Sequence, residues 1–114
     1  MRIVDRKTFL AMPSGTVFAK FAPCWFGDLH IKGDSLDSND FIAEAITDAF
    51  DNNGSEQFAD RCYEMKDKGA SYPMTFDATM RDGLFDDDQL FAVWDRSDVT
   101  ALIERLSRAL ADSA

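Results

Sequence analysis

The amino-acid sequence predicts an α+β fold, with an antiparallel sheet of about four strands and helices packed mainly on one face. Three observations carry that expectation. Apolar side chains alternate with period two in short runs separated by turn residues, so strands follow strands through hairpins rather than βαβ crossovers. Other segments repeat their apolar positions every three to four residues, the spacing of a helix with one buried stripe. The chain has 114 residues, of which 46% are hydrophobic and ten are Phe, enough for one core and one globular domain, residues 1–114.

Met1 to Val4 reads as a short edge strand. Asp5 is placed to cap a short helix through Met12 that buries Phe9, Leu10 and Met12, and Pro13, Ser14 and Gly15 end it. Thr16 to Lys32 is the stretch around which the rest is expected to pack. Its first run sets Val17, Ala19 and Phe21 on one side and Thr16, Phe18 and Lys20 on the other, and its second does the same with Trp25, Leu29 and Ile31. Pro23 cannot donate to a ladder, so the chain turns at Pro23 and Cys24 and the pair forms a hairpin.

Gly33 to Asp40 reads as a polar loop that feeds a helix over Phe41 to Phe50, where Phe41, Ile42, Ala45, Ile46, Ala49 and Phe50 form one stripe. Asp51 to Gly54 end it. Ser55 then caps a helix to Lys68 with Phe58, Ala59, Cys62, Tyr63 and Met65 inward, and Gly69 stops it. Beyond Pro73, alternation returns: Met74, Phe76, Ala78 and Met80 share one face of a strand, and Thr75, Asp77 and Thr79 the other. Arg81, Asp82 and Gly83 form a turn, and Leu90 to Trp94 is a continuously apolar strand. Ser97 caps a last helix with Val99, Leu102, Ile103, Leu106 and Leu110 inward, which frays from Ala111.

The formal charge is −9, and it is unevenly spread. Residues 1–33 carry five basic and two acidic side chains, whereas the remaining 81 carry seven and nineteen. Such a surface repels nucleic acid and attracts basic surfaces. No run approaches the roughly 18 apolar residues of a membrane span. Asp5, Arg6 and Lys7 stand where a signal peptide needs an apolar stretch, so a cytoplasmic location without membrane contact is expected.

Catalytic patterns are few. Asp86, Asp87 and Asp88 are clustered carboxylates of the kind that hold magnesium or calcium, but neighbours on an extended chain point to opposite faces. Only Asp86 and Asp88 could share an ion, with Asp82 or Asp77 as a further ligand, so a solvated turn is the preferred reading. Asp51 to Cys62 and Asp34 to Asp40 both miss the glycine position of a calcium-binding loop. Zinc lacks ligands, with His30 alone and no paired cysteines; Cys24 and Cys62 are read as reduced thiols in or near the core. Cys24 and His30, six apart on one extended run, are too distant for a nucleophile and its base. Trp25, Phe26 and Phe18 are assigned to the core rather than to a base-stacking platform, because a basic groove to hold phosphates is lacking. No cofactor is expected.

The opening Met1-Arg-Ile-Val-Asp-Arg-Lys-Thr-Phe-Leu, followed by Pro13-Ser-Gly-Thr-Val-Phe, Pro23-Cys-Trp-Phe-Gly, Leu29-His-Ile-Lys and Arg81-Asp-Gly-Leu-Phe-Asp-Asp-Asp-Gln-Leu-Phe-Ala-Val, resembles a group of small uncharacterised proteins of tailed phages and prophages. The resemblance implies a genomic origin, says nothing about activity, and carries over no catalytic residues. In size and acidity the chain is similar to phage proteins that block host defence, anti-CRISPR proteins among them. The expected function is therefore a non-enzymatic acidic binding protein whose Asp34, Asp37, Asp40, Asp82, Asp86, Asp87 and Asp88 dock on a basic host protein, a nucleic-acid-binding component of a defence system. The rivals are a small metal-dependent enzyme acting on nucleotides through Asp82, Asp86 and Asp88, and a minor virion or assembly component recognisable by self-association.

Overall fold

The computed structural model describes residues 1–37, 39–46, 50–76 and 78–113. Its elements run β1 (Arg2–Val4), α1 (Arg6–Leu10), β2 (Val17–Ala22), β3 (Trp25–Phe26), β4 (His30–Leu36), β5 (Asp40–Ala45), α2 (Ser55–Lys68), β6 (Ala78–Arg81), β7 (Leu90–Val93) and α3 (Arg96–Asp112). The α+β class is as expected. The sheet, however, is an open antiparallel one of seven strands rather than about four, ordered β1-β7-β2-β4-β5-β6, with β3 paired to β2 beside the end of β4.

The predicted hairpin forms, with its second run divided. Phe21 and Ala22 pair with Phe26 and Trp25 of β3, and Val17 and Phe18 pair with Ile31 and His30 of β4. The largest correction is the helix expected over Phe41 to Phe50. Its first half is β5, paired antiparallel to β4 on one side and to β6 on the other. Phe41, Ala43 and Ala45 are buried there while Ile42 and Glu44 are half-buried, an alternation that the helical spacing of the same residues concealed. A ladder on each edge satisfies every β5 amide it engages, which an isolated helical turn could not match. Residues 47–49 of the expected helix lie outside the described residues, as does Asp77.

The polar loop expected over Gly33 to Asp40 is also largely strand. Residues up to Leu36 extend β4, and Asp40 begins β5. Between Lys32 and Ser35 the register slips, and Gly33 sits where a Cβ would lie 3.0 Å from Ile42 Cβ and 3.2 Å from Ile42 O. Only a hydrogen in place of a side chain lets the two strands approach this closely.

β7 inserts between β1 and β2, antiparallel to both, so the first and last strands of the chain are neighbours. α1 joins β1 to β2 across this insertion and covers one face of the sheet. Asp5 caps it as expected, its Oδ1 accepting from Thr8 N at 2.8 Å. Beneath it the core is a nest of four fully buried rings: Phe9 of α1, Phe18 of β2, Phe41 of β5 and Phe91 of β7. Phe9 lies parallel on Phe91 at 4.0 Å between centroids and edge-on to Phe18 and Phe41 at 4.7 and 5.0 Å. Each such ring contributes about 2–3 kcal/mol from its burial, plus the preference of aromatic pairs for these arrangements.

The longer helices behave otherwise. α2 runs over the predicted residues, but its N-cap is Gly54 rather than Ser55, and Gly69 closes it in the left-handed conformation at φ 67°. α3 begins one residue before Ser97, and Asp95 N donates to Asp98 Oδ2 at 2.9 Å across its first turn. Neither helix buries a residue fully. Ile103, Leu106 and Leu110, expected inward, are 60%, 59% and 75% exposed. Consistent with helices that stand away from the sheet, the radius of gyration is 16.3 Å, against about 13 Å for a compact chain of this length. The strand expected from Met74 shrinks to β6 plus a single bridge from Met74 to Phe50. No helix among the described residues is long and apolar enough to cross a membrane.

Candidate functional site

The chemistry of the molecule gathers at one corner of the sheet, where β5 begins, β6 ends and the chain leaves toward residues 82–88. Arg6 starts it. Three residues ahead of Phe9 on α1, it shares that helix face and is carried into the core with it; its side chain is 3% exposed and its guanidinium lies 5.6 Å from the Phe41 ring. Arg6 Nη2 donates to Asp82 Oδ2 at 3.2 Å and to Asn39 O at 2.7 Å, and Nε donates to Asn39 Oδ1 at 2.9 Å. Lys20 Nζ, from the same sheet face, donates to Asp82 Oδ1 at 2.7 Å.

Asp82, whose side chain is 3% exposed, is therefore a counter-ion held between two cations. Burial pushes its carboxyl up, but Lys20 and Arg6 together more than reverse this, and it ends below the usual carboxylate range. Asp40 is fully buried. Its Oδ1 accepts from Gly83 N and Phe41 N, each at 2.9 Å, and its Oδ2 accepts from Arg81 Nε. The Gly83 amide, with Arg81 and the Phe41 amide behind it, outweighs burial and holds this carboxyl low as well. Gly83, at φ 68°, takes the left-handed turn that aims its amide inward.

Two of the seven aspartates expected to face a partner are thus interior. Asp40 and Asp82 tie the strand ends together and present no charge outward. The other five are exposed. Asp87 Oδ1 accepts from Asn39 Nδ2 at 2.6 Å, which brings the turn between β4 and β5, with Asp37, against the loop carrying Asp86, Asp87 and Asp88. Asp86 Oδ1 accepts from Asp88 N at 3.0 Å, a local turn of the kind aspartate favours. Asp34 accepts from Ser14 Oγ at 2.7 Å, apart from this group. Among the described residues no three His, Cys, Asp or Glu side chains converge as a metal site would require, and Asp82 is engaged by its cations, Arg6 and Lys20.

The aromatic assignment divides. Phe18 is core, but Trp25 and Phe26 are 57% and 52% exposed at the β2–β3 turn, a two-residue strand at the sheet margin where Phe26 lies against the Phe21 ring at 5.1 Å between centroids. Cys24 occupies that turn at φ 66°, exposed rather than near the core, and Cys62 is half-buried; both are free thiols. The residues that sequence reasoning missed are Arg6, Lys20 and Asn39. For Arg6 a signal was present, its three-residue spacing from Phe9; for Lys20 and Asn39 the partners lie 62 and 33 positions away, and no local pattern points to them.

The fold and this corner define an acidic α+β protein with an open antiparallel sheet and a buried ionic anchor beside an exposed carboxylate cluster. Comparison with protein-family models, with curated proteins and with solved structures gives no significant match to any.

Proposed function

We propose that the protein is a phage- or prophage-encoded, non-enzymatic binding protein that inhibits a host defence system by occupying a basic, nucleic-acid-binding surface of one of its components. The observation that carries the reading is the Asn39–Asp87 hydrogen bond, which joins two acidic loops so that Asp37, Asp86, Asp87 and Asp88 are exposed at one corner. The buried anchor beneath holds that corner rigid: Asp40 and Asp82 are locked by Arg81, Arg6 and Lys20, so the exposed carboxylates are presented in a set arrangement at little ordering cost on binding. A partner evolved to bind phosphates in a groove offers the complementary charge.

The test is retention of basic host proteins from a lysate, followed by affinity measurement on the purified partner. Binding weakens at least tenfold between low and high salt, as screening of exposed charges requires, and nucleic acid competes. Combining Asp37→Asn, Asp86→Asn and Asp88→Asn abolishes binding without lowering thermal stability. Affinity that is indifferent both to salt and to this triple variant overturns the proposal.

A further inference from the structure

Helix α1 covers one face of the sheet, and the opposite face is apolar as well. Side chains alternate along each strand and cross-strand partners share a face, so Ile3, Ala19 and Ala92 stand together on that side, with Phe21, Phe26 and Leu90 next to them. Neither long helix lies across it. It opens as a groove of about 260 Å³ lined by Met1, Ala19, Phe26, Leu29 and Trp94, and continues past Met1 and Trp94 into a gap of about 370 Å³ bordered by Ala101 and Leu102 of α3. Met1 and Phe26 are 53% and 52% exposed, so this groove offers apolar surface to a partner, which the closed ring nest does not.

Three observations select a second copy of the chain as that partner. The first is complementarity: α3 carries Ile103, Leu106 and Leu110 on one exposed stripe. The stripe is about 11 Å long at 1.5 Å per residue, and the groove crosses two strand spacings, from Trp94 after β7 over Ala19 of β2 to Leu29 before β4, about 10 Å. α3 is continuous through Asp112, so its second half cannot turn back onto the groove that its first turns border, whereas the helix of another copy can enter it. A two-fold axis then fills both grooves with both stripes. The second is area. The chain exposes 7854 Å², about 1,600 Å² more than the roughly 6,300 Å² of a compact monomer of 12.8 kDa, and a standard interface covers about 800 Å² of each partner. The third is charge. A net charge of −9 drives two copies apart, but residues 96–112 carry three basic and three acidic side chains, so α3 brings no net charge to the contact.

We propose that this face is a homodimer interface in which α3 of each copy seats Ile103, Leu106 and Leu110 in the groove of the other. It uses none of Asp37, Asp86, Asp87 and Asp88, so its failure leaves the docking corner standing, and the converse holds. Sedimentation equilibrium of the full chain gives a reversible monomer–dimer equilibrium that changes by less than about threefold between low and high salt, as an apolar contact requires. In the ¹⁵N-labelled chain, raising the concentration shifts the amides of Phe26, Leu29 and Trp94 together with those of α3 from Leu102 to Leu110. Leu106→Glu combined with Leu110→Glu weakens the dimer at least tenfold and removes the shifts at Phe26 and Leu29, while the monomer keeps its unfolding temperature; should that variant not fold, Leu110→Glu alone decides. In dilute solution, below the dissociation constant, the chain is monomeric and α3 lies in water. A chain that stays monomeric up to about 1 mM, a dimer that survives these substitutions, or concentration-dependent shifts confined to other surfaces overturns the inference.

Discussion

Helix α1, with five residues, buries Phe9 completely and Arg6 nearly so, whereas α2 and α3, with fourteen and seventeen, bury none of theirs fully. Length and amphipathic pattern would rank them the other way. What separates them is placement: α1 spans the gap between β1 and β2 over the strand inserted there, so its apolar side faces three strands at once. α3 has a longer stripe in Val99, Leu102, Ile103, Leu106 and Leu110, yet no sheet face lies beneath its second half. A helical stripe therefore states that a helix can bury a face, and the topology states whether a surface is there to receive it.

The contrast can be broken by substitution. Phe9→Ala empties the middle of the ring nest and lowers unfolding free energy by about 3–5 kcal/mol in urea titration; a loss under 1 kcal/mol would mean that the four rings do not pack as one unit. Asp82→Asn leaves Arg6 and Lys20 without their counter-ion and costs about 3 kcal/mol, as breaking a buried pair does. The same anchor sets an acid limit. Asp40 and Asp82 have folded-state pKa values below the ordinary 3.8, so between those values the unfolded chain binds more protons. Their contribution is present above pH 3.8 and is lost as pH falls through the folded values. The urea midpoint of the parent chain should fall on acidification below about pH 4, and more steeply than that of Asp82→Asn.

Gly33→Ala pushes a methyl toward Ile42 and costs about 1–3 kcal/mol, the price of overpacking between paired strands. At the far end of the scale, Leu106→Ala on α3 changes stability by less than about 0.5 kcal/mol, since its side chain is already in water. A cost comparable to that of Phe9→Ala would show that α3 is covered in solution.

Much of the local structure was legible. The Asp5 cap, the turn at Pro23 and Cys24, the span of α2 and the strand at Leu90 depend on neighbours in sequence, and residue chemistry reports them. Phe41 to Ala45 was not legible, because Phe-Ile-Ala-Glu-Ala fits a helical stripe and a strand alternation equally over so short a span. The candidate site divides in the same way. Asp86 to Asp88 announce an exposed turn by composition, whereas Asp40 and Asp82 read as two more surface acids until Arg81, Arg6 and Lys20 are brought to them from 41, 76 and 62 positions away.

Composition and periodicity thus set the class, the acidity, the strand-rich centre and most element boundaries, since these follow from backbone preferences and side-chain spacing along a few residues. Strand order, the insertion of β7 between β1 and β2, the burial of two aspartates and the exposure of α3 arose from long-range pairing. In each case the outcome turned on which surface was left open once the sheet had closed around four phenylalanine rings, a competition among distant segments that no short window of residues contains.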